Sequence, residues 1–343
     1  MQSPDSSYPA VGIGILNWNG RKWLEQFLPF IFKITYANYK VYVIDNDSAD
    51  DSIAFLETTY PQITIIQTGG NHGFAGGYNR GFAQMPENYL LMLNSDVEVT
   101  PGFLEPMISL MEADDQIAIC QSKILSWHQR DKFEHAGAAG GMMDVLGYSF
   151  CRGRIFDTAE EDHHQYKTAE IFWATGACCM IRRSAYMQVA GMYEYFFMHF
   201  EEIDLCWRIK VKGYKVMYCD ASVVYHVGGA TLQYESPSKT YLNFRNNMVM
   251  LVKNSSLVDL LWTLPIRFAL DTAAMFRFLL EGKLQLSWAV IRAYFGLFMW
   301  LWKSVDKRHV AGKSLSSFPV VYKRSIVWQY YARKRKTFDR LSS

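Results

Sequence analysis

The first half of this chain predicts an α/β fold, with a mixed, mainly parallel sheet flanked by helices, and three observations predict it. Strand-like and helix-like stretches alternate from Val11 onward. Apolar runs such as 89–93, YLLML, read as strands buried on both faces, as parallel sheets require. Each of three such runs ends in short polar residues, and open α/β sheets bind ligands outside the carboxyl ends of their strands.

In order, 11–16 is a strand that opens into Asn17, Trp18, Asn19 and Gly20, and 22–34 is an amphipathic helix. Residues 40–44 form the next strand, which ends at Asp45; Ser48 and Asp51 are spaced as a capping box for a helix over 49–59. A third strand over 63–67 leads to 69–81, GGNHGFAGGYNRG, whose glycines predict a loop where backbone comes close to a ligand. Arg80 there is suited to phosphate oxygens. The strand 89–93 then runs into Asn94, Ser95, Asp96, Val97 and Glu98, and Thr100 with Pro101 starts a helix. Further on, 172–181 is apolar, 183–190 is helical, and a loop leads to a helix beginning Glu201, Glu202, Ile203, Asp204. Its Asp204 and Arg208 share a face. Strands at 215–218 and 222–227 follow, the second carrying His226 before two glycines.

The chemistry predicted from these residues centres on carboxylates. Two acids at the end of a buried strand need water, a cation or a ligand, because an unpaired charge in the core is very costly. A divalent ion, Mg²⁺ or Mn²⁺, beside a phosphate satisfies Asp96 and Glu98; a plain turn is the bland alternative. With Ser48 as the helix cap, Asp45 is left for a ligand. A carboxylate in the first turn of the 201 helix, if it faces a cleft, can act as a base toward a hydroxyl.

Composition narrows the class. The chain has 343 residues, half of them apolar, and a net charge of +2, too small to point to nucleic acid. Six cysteines show no zinc or CxxC spacing and fit buried thiols of a reducing compartment. The polar segment 1–9 reads as a disordered tail and lacks the apolar core of a secretory signal, which places the catalytic part in the cytoplasm.

The segments VGIGILNWNG, VYVIDNDSADDS, NHGFAGGYNRGF, LLMLNSDVEVTPGF, TGACCMIRRSAYMQVAGMYEYFFMHFEEIDLCWR and VVYHVGG, in this order, resemble the family 2 glycosyltransferases, particularly the rhamnosyltransferase-like branch. The ordered set is specific where each piece is not. The resemblance implies a GT-A, Rossmann-like fold over 10–235, a nucleotide-sugar donor (dTDP-, UDP- or GDP-linked), a divalent metal and transfer with inversion. It implies that Asn17, Asn19, Asp45, Asn71, Gly73, Gly76, Arg80, Asn94 and Asp96 bind the donor, with Asp45 on the base. Asp96, Glu98 and His226 become metal ligands, and Glu202 the general base, with Asp204 as fallback. The chain departs from the pattern in having one Asp in the DxD-like motif and Glu where the base is usually Asp.

Beyond 236 the composition changes: 241–253 is helical, and 257–302 is rich in Leu, Phe, Trp and Met, interrupted by Arg267, Asp271, Arg277, Glu281, Lys283 and Arg292. No charge-free run reaches the roughly 20 residues of a spanning helix. Aromatic helices with spaced basic residues suit the membrane interface, helped by Lys303, Lys307, Arg308 and the run 333–336. The reading is therefore an enzyme attached peripherally to the inner membrane face, acting on a glycan or lipid-linked glycan acceptor. A helical lid or homodimer face is the competing expectation for 236–343. For the whole chain the alternatives are a polyprenyl-phosphate glycosyltransferase and an inactive sugar-nucleotide or glycan-binding module.

Overall fold

The computed structural model describes residues 9–134, 137–228, 236–304 and 313–341. The order is β1 (Val11–Asn17), α1 (Arg21–Ile31), β2 (Tyr39–Asp45), α2 (Ser52–Thr59), β3 (Thr64–Gln67), α3 (Gly73–Ala83), β4 (Tyr89–Asn94), β5 (Val97–Val99), α4 (Leu104–Ala113) and β6 (Ile117–Ser126). Short strands β7 (Gly141–Asp144), β8 (Ser149–Cys151), β9 (Arg154–Ile155), β10 (Thr158–Ala159) and β11 (Ala169–Glu170) lead to β12 (Cys178–Arg182) and α5 (Arg183–Gln188). The rest is α6 (Glu201–Val211), β13 (Lys215–His226), α7 (Pro237–Asn254), α8 (Leu257–Leu280), α9 (Leu284–Ser304) and β14 (Val321–Tyr322).

The large sheet runs β11-β13-β6-β12-β4-β1-β2-β3, with β5 joined to β13. Strands β3, β2, β1 and β4 are parallel, and β12 is antiparallel to both β4 and β6. Alternate residues feed opposite cores, because successive side chains leave a strand on opposite faces. Val41 and Val43 pack with Leu24, Leu28 and Met107 of α1 and α4, while Tyr42 and Ile44 pack with Tyr78 and Phe82 of α3 and Trp207 of α6.

Register fixes where the polar strand ends meet. Asn17 lies opposite Asp45, Asp45 opposite Gln67, and Leu16 opposite Asn94. The three polar sets therefore line one edge, as the sequence predicts.

Several elements differ from expectation. Residues 73–83 form a helix rather than a loop, and their glycines let it sit against the sheet: a Cβ at Gly81 would run into Ile44. Ser48 does not cap α2; its hydroxyl accepts from Asn17 Nδ2 at 3.0 Å and from the Asn19 N–H at 2.9 Å. Thr100 donates to the Val223 carbonyl at 2.8 Å instead of capping α4, because Val97 and Val99 pair with β13 and delay the helix to Leu104. Between 127 and 171 the sequence announces no elements, yet this segment supplies most of a second sheet, β10-β9-β8-β7-β14.

The chain after 236 packs against the elements before it. Val249 and Leu251 of α7 belong to the core that holds Phe82 and Trp207. Strand β14 completes the second sheet alongside β7. Buried Asp144 ties the same sheet to residue 326 by accepting the Ile326 N–H at 2.8 Å. The tail 1–8 and the basic residues Lys307 and Arg308 lie outside the described residues.

Candidate active site

At the edge of the parallel strands, Asn17 and Asp45 are both buried. Asn17 Nδ2 donates to Asp45 Oδ1 at 3.1 Å, and Asp45 Oδ2 accepts the Ser48 N–H at 3.1 Å. Asn17 Oδ1 is a buried acceptor without a donor. A Cβ at Gly20 would run into that oxygen, so glycine keeps the approach to it open. An unpaired buried amide oxygen is costly, and a ligand donor would satisfy it. Asn19, with φ +52°, holds the facing turn by accepting the Ala49 N–H at 2.7 Å.

The other donor candidates are spent on structure. Asn71 Oδ1 accepts from the Gly73 N–H at 3.0 Å and from Asn46 Nδ2 at 3.2 Å, which shapes the entry to α3. Gly73 has φ +68° and lies where a Cβ would strike the Phe197 carbonyl. That carbonyl accepts from the Phe74 N–H at 2.6 Å, capping the helix. Gly76 is enclosed by His72, Arg80 and Glu194. Arg80 itself donates to Glu194 at 3.1 Å and to the Gly76 carbonyl at 2.9 Å. It therefore faces the 194 loop.

The acidic turn separates Asp96 from Glu98. Asp96 Oδ1 is 3.2 Å from His226 Nε2, and His226 Nδ1 is 3.1 Å from Glu134 Oε2. Burial lowers the imidazole's basicity, but Asp96 and Glu134 outweigh it and raise its pKa to about 10. Asn94 stands beside the same ring. Glu98, one step along β5, is held by Arg130 at 2.6 and 3.1 Å and by Trp127 Nε1 at 3.0 Å. Both oxygens of Glu98 are thus engaged by protein donors, whereas Asp96 meets, among the described residues, only the imidazole.

Asp96 and His226 fit a divalent cation, one hard oxygen and one imidazole that would release its Nε2 proton as the cation bound, with Glu134 fixing the ring from behind as outer-shell carboxylates do for metal-bound histidines. Among the described residues no group of three His, Cys, Asp or Glu side chains could hold a metal alone. Two protein ligands with the rest from a diphosphate and water match Mg²⁺ or Mn²⁺ practice.

The loop before α6 lies beside the entry to α3, which its Phe197 carbonyl caps. Residue Phe197, at φ +63° and ψ −60°, is the centre of the rare, strained form of γ-turn closed by the Met198 N–H on the Phe196 carbonyl. His199 and Phe200 follow with φ +69° and +75°. Such conformations cost about 1–3 kcal/mol each and persist only where the surroundings over-determine them. Here the surroundings are α7: buried Asn246 donates to the carbonyls of Phe196, Met198 and His199 at 2.8–3.0 Å. Arg245 adds longer bonds to the carbonyls of Tyr195 and Phe196.

This loop delivers Glu201 and Glu202 in the first turn of α6. Glu202 Oε2 is buried and without a partner. Burial pushes its pKa up to about 7, and burial together with the Glu202 charge pushes Glu201 well above the usual carboxylate range. Asp204 is different. It accepts from Arg208 at 2.7 Å, Lys253 at 2.7 Å and Asn254 at 2.7 Å. Burial opposes its charge, but those two cations hold its carboxyl well below the ordinary range. A fully paired, fully buried carboxylate does not collect protons from a substrate, so Asp204 is structural and not a fallback base.

Sequence reasoning missed Glu134 and Asn246. Neither has a local signal, since each acts on a residue about 50 or more positions away in the chain.

Comparison with known proteins agrees with this architecture. The model of Glycosyl transferase family 2 matches residues 13–190. The N-acetylglucosaminyl-diphospho-decaprenol L-rhamnosyltransferase of Mycobacterium tuberculosis is 25% identical over 272 residues, covering 74% of this chain and 89% of that protein. Rhamnosyltransferase WbbL of Escherichia coli is 25% identical over 202 residues, 55% of this chain and 73% of that one. Among solved structures, GalNAc-T7 with UDP, GalNAc and Mn²⁺ superposes with a TM-score of 0.59 at 14% identity over 93% of this chain, which spans 60% of the GalNAc-T7 chain. That likeness is one of fold, and the fold is GT-A. With more than half its length matched by the family model, the chain belongs to glycosyltransferase family 2 and is a glycosyltransferase.

Proposed function

We propose that this glycosyltransferase is metal-dependent and inverting, moving a sugar from a nucleotide-diphosphate donor to a hydroxyl of a lipid-linked glycan at the cytoplasmic face of a membrane. The observation that carries the reading is Glu202: a carboxylate in the first turn of α6 with one oxygen buried and unpartnered, its pKa raised by burial to about 7. A general base works best with a pKa near the operating pH.

Asn17 and Asp45 receive the donor base, and Asp96 with His226 receives a divalent cation at the diphosphate. When bound, that cation offsets the charge growing on the leaving diphosphate. Glu202 takes the acceptor proton; the hydroxyl oxygen attacks the anomeric carbon from the face away from the diphosphate. The carbon–oxygen bond to the diphosphate breaks, and its electron pair leaves with the diphosphate, so configuration inverts.

Membrane attachment is supported by the outer face of α8 and α9. Leu261, Leu280, Phe298 and Trp302 are 79, 89, 65 and 82% exposed there. An apolar patch of this kind marks an interaction surface. Arg277 of α8 reaches Tyr331, which brings exposed Trp328 and the basic residues 333–336 to the same end. Helix α9 is long and apolar enough to cross a membrane. Its inner face, however, packs through Ala289, Ala293, Leu297 and Trp300, which suits a helix lying in the interface. Arg267 and Asp271 are no part of that interface: both are buried, with Tyr148 and Tyr294 hydroxyls on Asp271.

Asp96→Asn tests the cation site. Donor binding in Mn²⁺ should weaken and nucleoside diphosphate release should vanish, since a neutral amide is a poor ligand for a hard ion. Full wild-type activity in EDTA would end the metal-dependent reading.

A further inference from the structure

Between α8 and α9 lies a cavity of about 560 Å³, walled by Phe268 and Met275 from one helix and Val290, Ile291, Phe295 and Phe298 from the other. Its volume falls in the range of small-molecule sites, about 300–1,000 Å³. Two hydroxyls stand at its wall, Thr272 and Tyr294, the second occupied by Asp271 at 2.9 Å; the rest of the lining is hydrocarbon. The cavity opens among the exposed side chains Phe268, Phe295 and Phe298, which are 59, 63 and 65% exposed.

The same helix joins this cavity to the base loop. Phe295 lines the cavity, while the next residue, Gly296, accepts from Tyr195 Oη at 3.4 Å and lies under Tyr241 and Arg245. One turn on, Trp300 Nε1 donates to Tyr193 Oη at 3.0 Å. The width of one α-helix, about 10 Å with side chains, therefore separates the apolar cavity from the segment that delivers Glu202. On that flank stand two guanidinium groups, Arg245 at 4.8 Å over Tyr195 and Arg292 at 5.1 Å over Tyr241. Among the described residues neither is paired with a carboxylate, and arginine is suited to phosphate oxygens.

We infer that the α8–α9 cavity binds the hydrocarbon chain of the acceptor lipid, a single unsaturated, methyl-branched polyisoprenoid, with its phosphate end on the Arg245 and Arg292 flank. The inference rests on the proposed lipid-linked acceptor and adds where its chain is held. Aromatic walls with a methionine and branched aliphatics pack a methyl-branched, unsaturated chain well, and Met adapts to its irregular outline. An interhelical slot selects one chain, whereas the outer face meets the bilayer as a whole. Holding the chain beside the base loop raises the local concentration of the sugar-bearing end without further sugar recognition.

The test uses the full chain and reads binding, not transfer. Native mass spectrometry in detergent should show one undecaprenyl phosphate per chain, with farnesyl phosphate and phosphatidylglycerol each at least about tenfold weaker. Ile291→Trp and Met275→Trp, which fill the slot, should each weaken undecaprenyl phosphate binding about tenfold. Both should leave sedimentation with phosphatidylglycerol vesicles unchanged. Arg292→Gln should weaken undecaprenyl phosphate but not undecaprenol. Equal binding of phosphatidylglycerol, or slot-filling variants with unaltered affinity, would overturn the inference. Because no turnover is measured, a failure here is distinct from a failure of the proposed transfer chemistry, which the Asp96 and Glu202 variants report.

Discussion

The two sides of the cleft are built in opposite ways. The donor side is the edge of a parallel sheet, where Asn17 and Asp45 are fixed by strand register and by a turn only three residues long. The acceptor side is a strained loop, φ positive at Phe197, His199 and Phe200, held from outside by Asn246 of α7. A sheet edge keeps its geometry because every neighbouring strand enforces it. A strained loop keeps its geometry only while its clamp is in place. The difference teaches that the donor pocket and the base are separable: damage to α7 should disable the base and spare the donor.

The largest effect is expected from Asp204→Asn, which leaves Lys253 and Arg208 facing a neutral amide in the core. Breaking a buried ion pair on one side costs about 3–5 kcal/mol. Thermal or urea unfolding should show that loss of stability, because Asp204 ties α6 to Lys253 and Asn254 of α7. Its sign with pH follows from a carboxyl held low by its cations. Its stabilising contribution is present above the unfolded carboxyl range and disappears as acid approaches the depressed folded value. A variant as stable as wild type, with transfer alone lost, would make Asp204 a catalytic group and blur the contrast.

A smaller, more selective effect is expected from Asn246→Ala. Three carbonyls lose a buried donor, a change worth about 1–3 kcal/mol per unsatisfied group before water intervenes. Calorimetry should find donor affinity nearly unchanged while transfer falls by about tenfold to a hundredfold, the scale of a displaced catalytic group. Equal losses in donor binding and transfer would mean that the two sides are not separable. Phe197 is the point to watch, since its carbonyl also caps α3 on the donor side.

That contrast also explains what could be read from the sequence. The donor edge is legible because each strand ends in its own polar residues, so Asn17, Asp45 and Asp96 are found by local pattern. Glu202 is legible as an acid opening a helix, but its geometry is not, since three left-handed residues carry no glycine to announce them. Glu98 misled because two acids one residue apart look like one site, whereas Asp96 lies in the turn before β5 and Glu98 lies within that strand, held by Arg130 and Trp127. Arg80 misled in the same way, its neighbour Glu194 being over a hundred residues distant. The second sheet stayed hidden because strands of two to four residues carry too little periodicity to detect. The charges Arg267 and Asp271 read as surface breaks in α8, yet they are buried against Tyr148.

The central claim is that Glu202, whose Oε2 is buried without a partner, is the base. Single-turnover transfer across pH, measured on wild type and Glu202→Gln with donor affinity by calorimetry, tests it directly. A carboxyl raised by burial must lose its proton before it can accept one, so the wild-type rate should climb with pH and level off above about 7. Glu202→Gln should bind donor as wild type does, lose about 10²-fold or more of the rate, and lose the rise with pH. A variant that transfers at the wild-type rate, or keeps the same pH rise, would contradict the assignment.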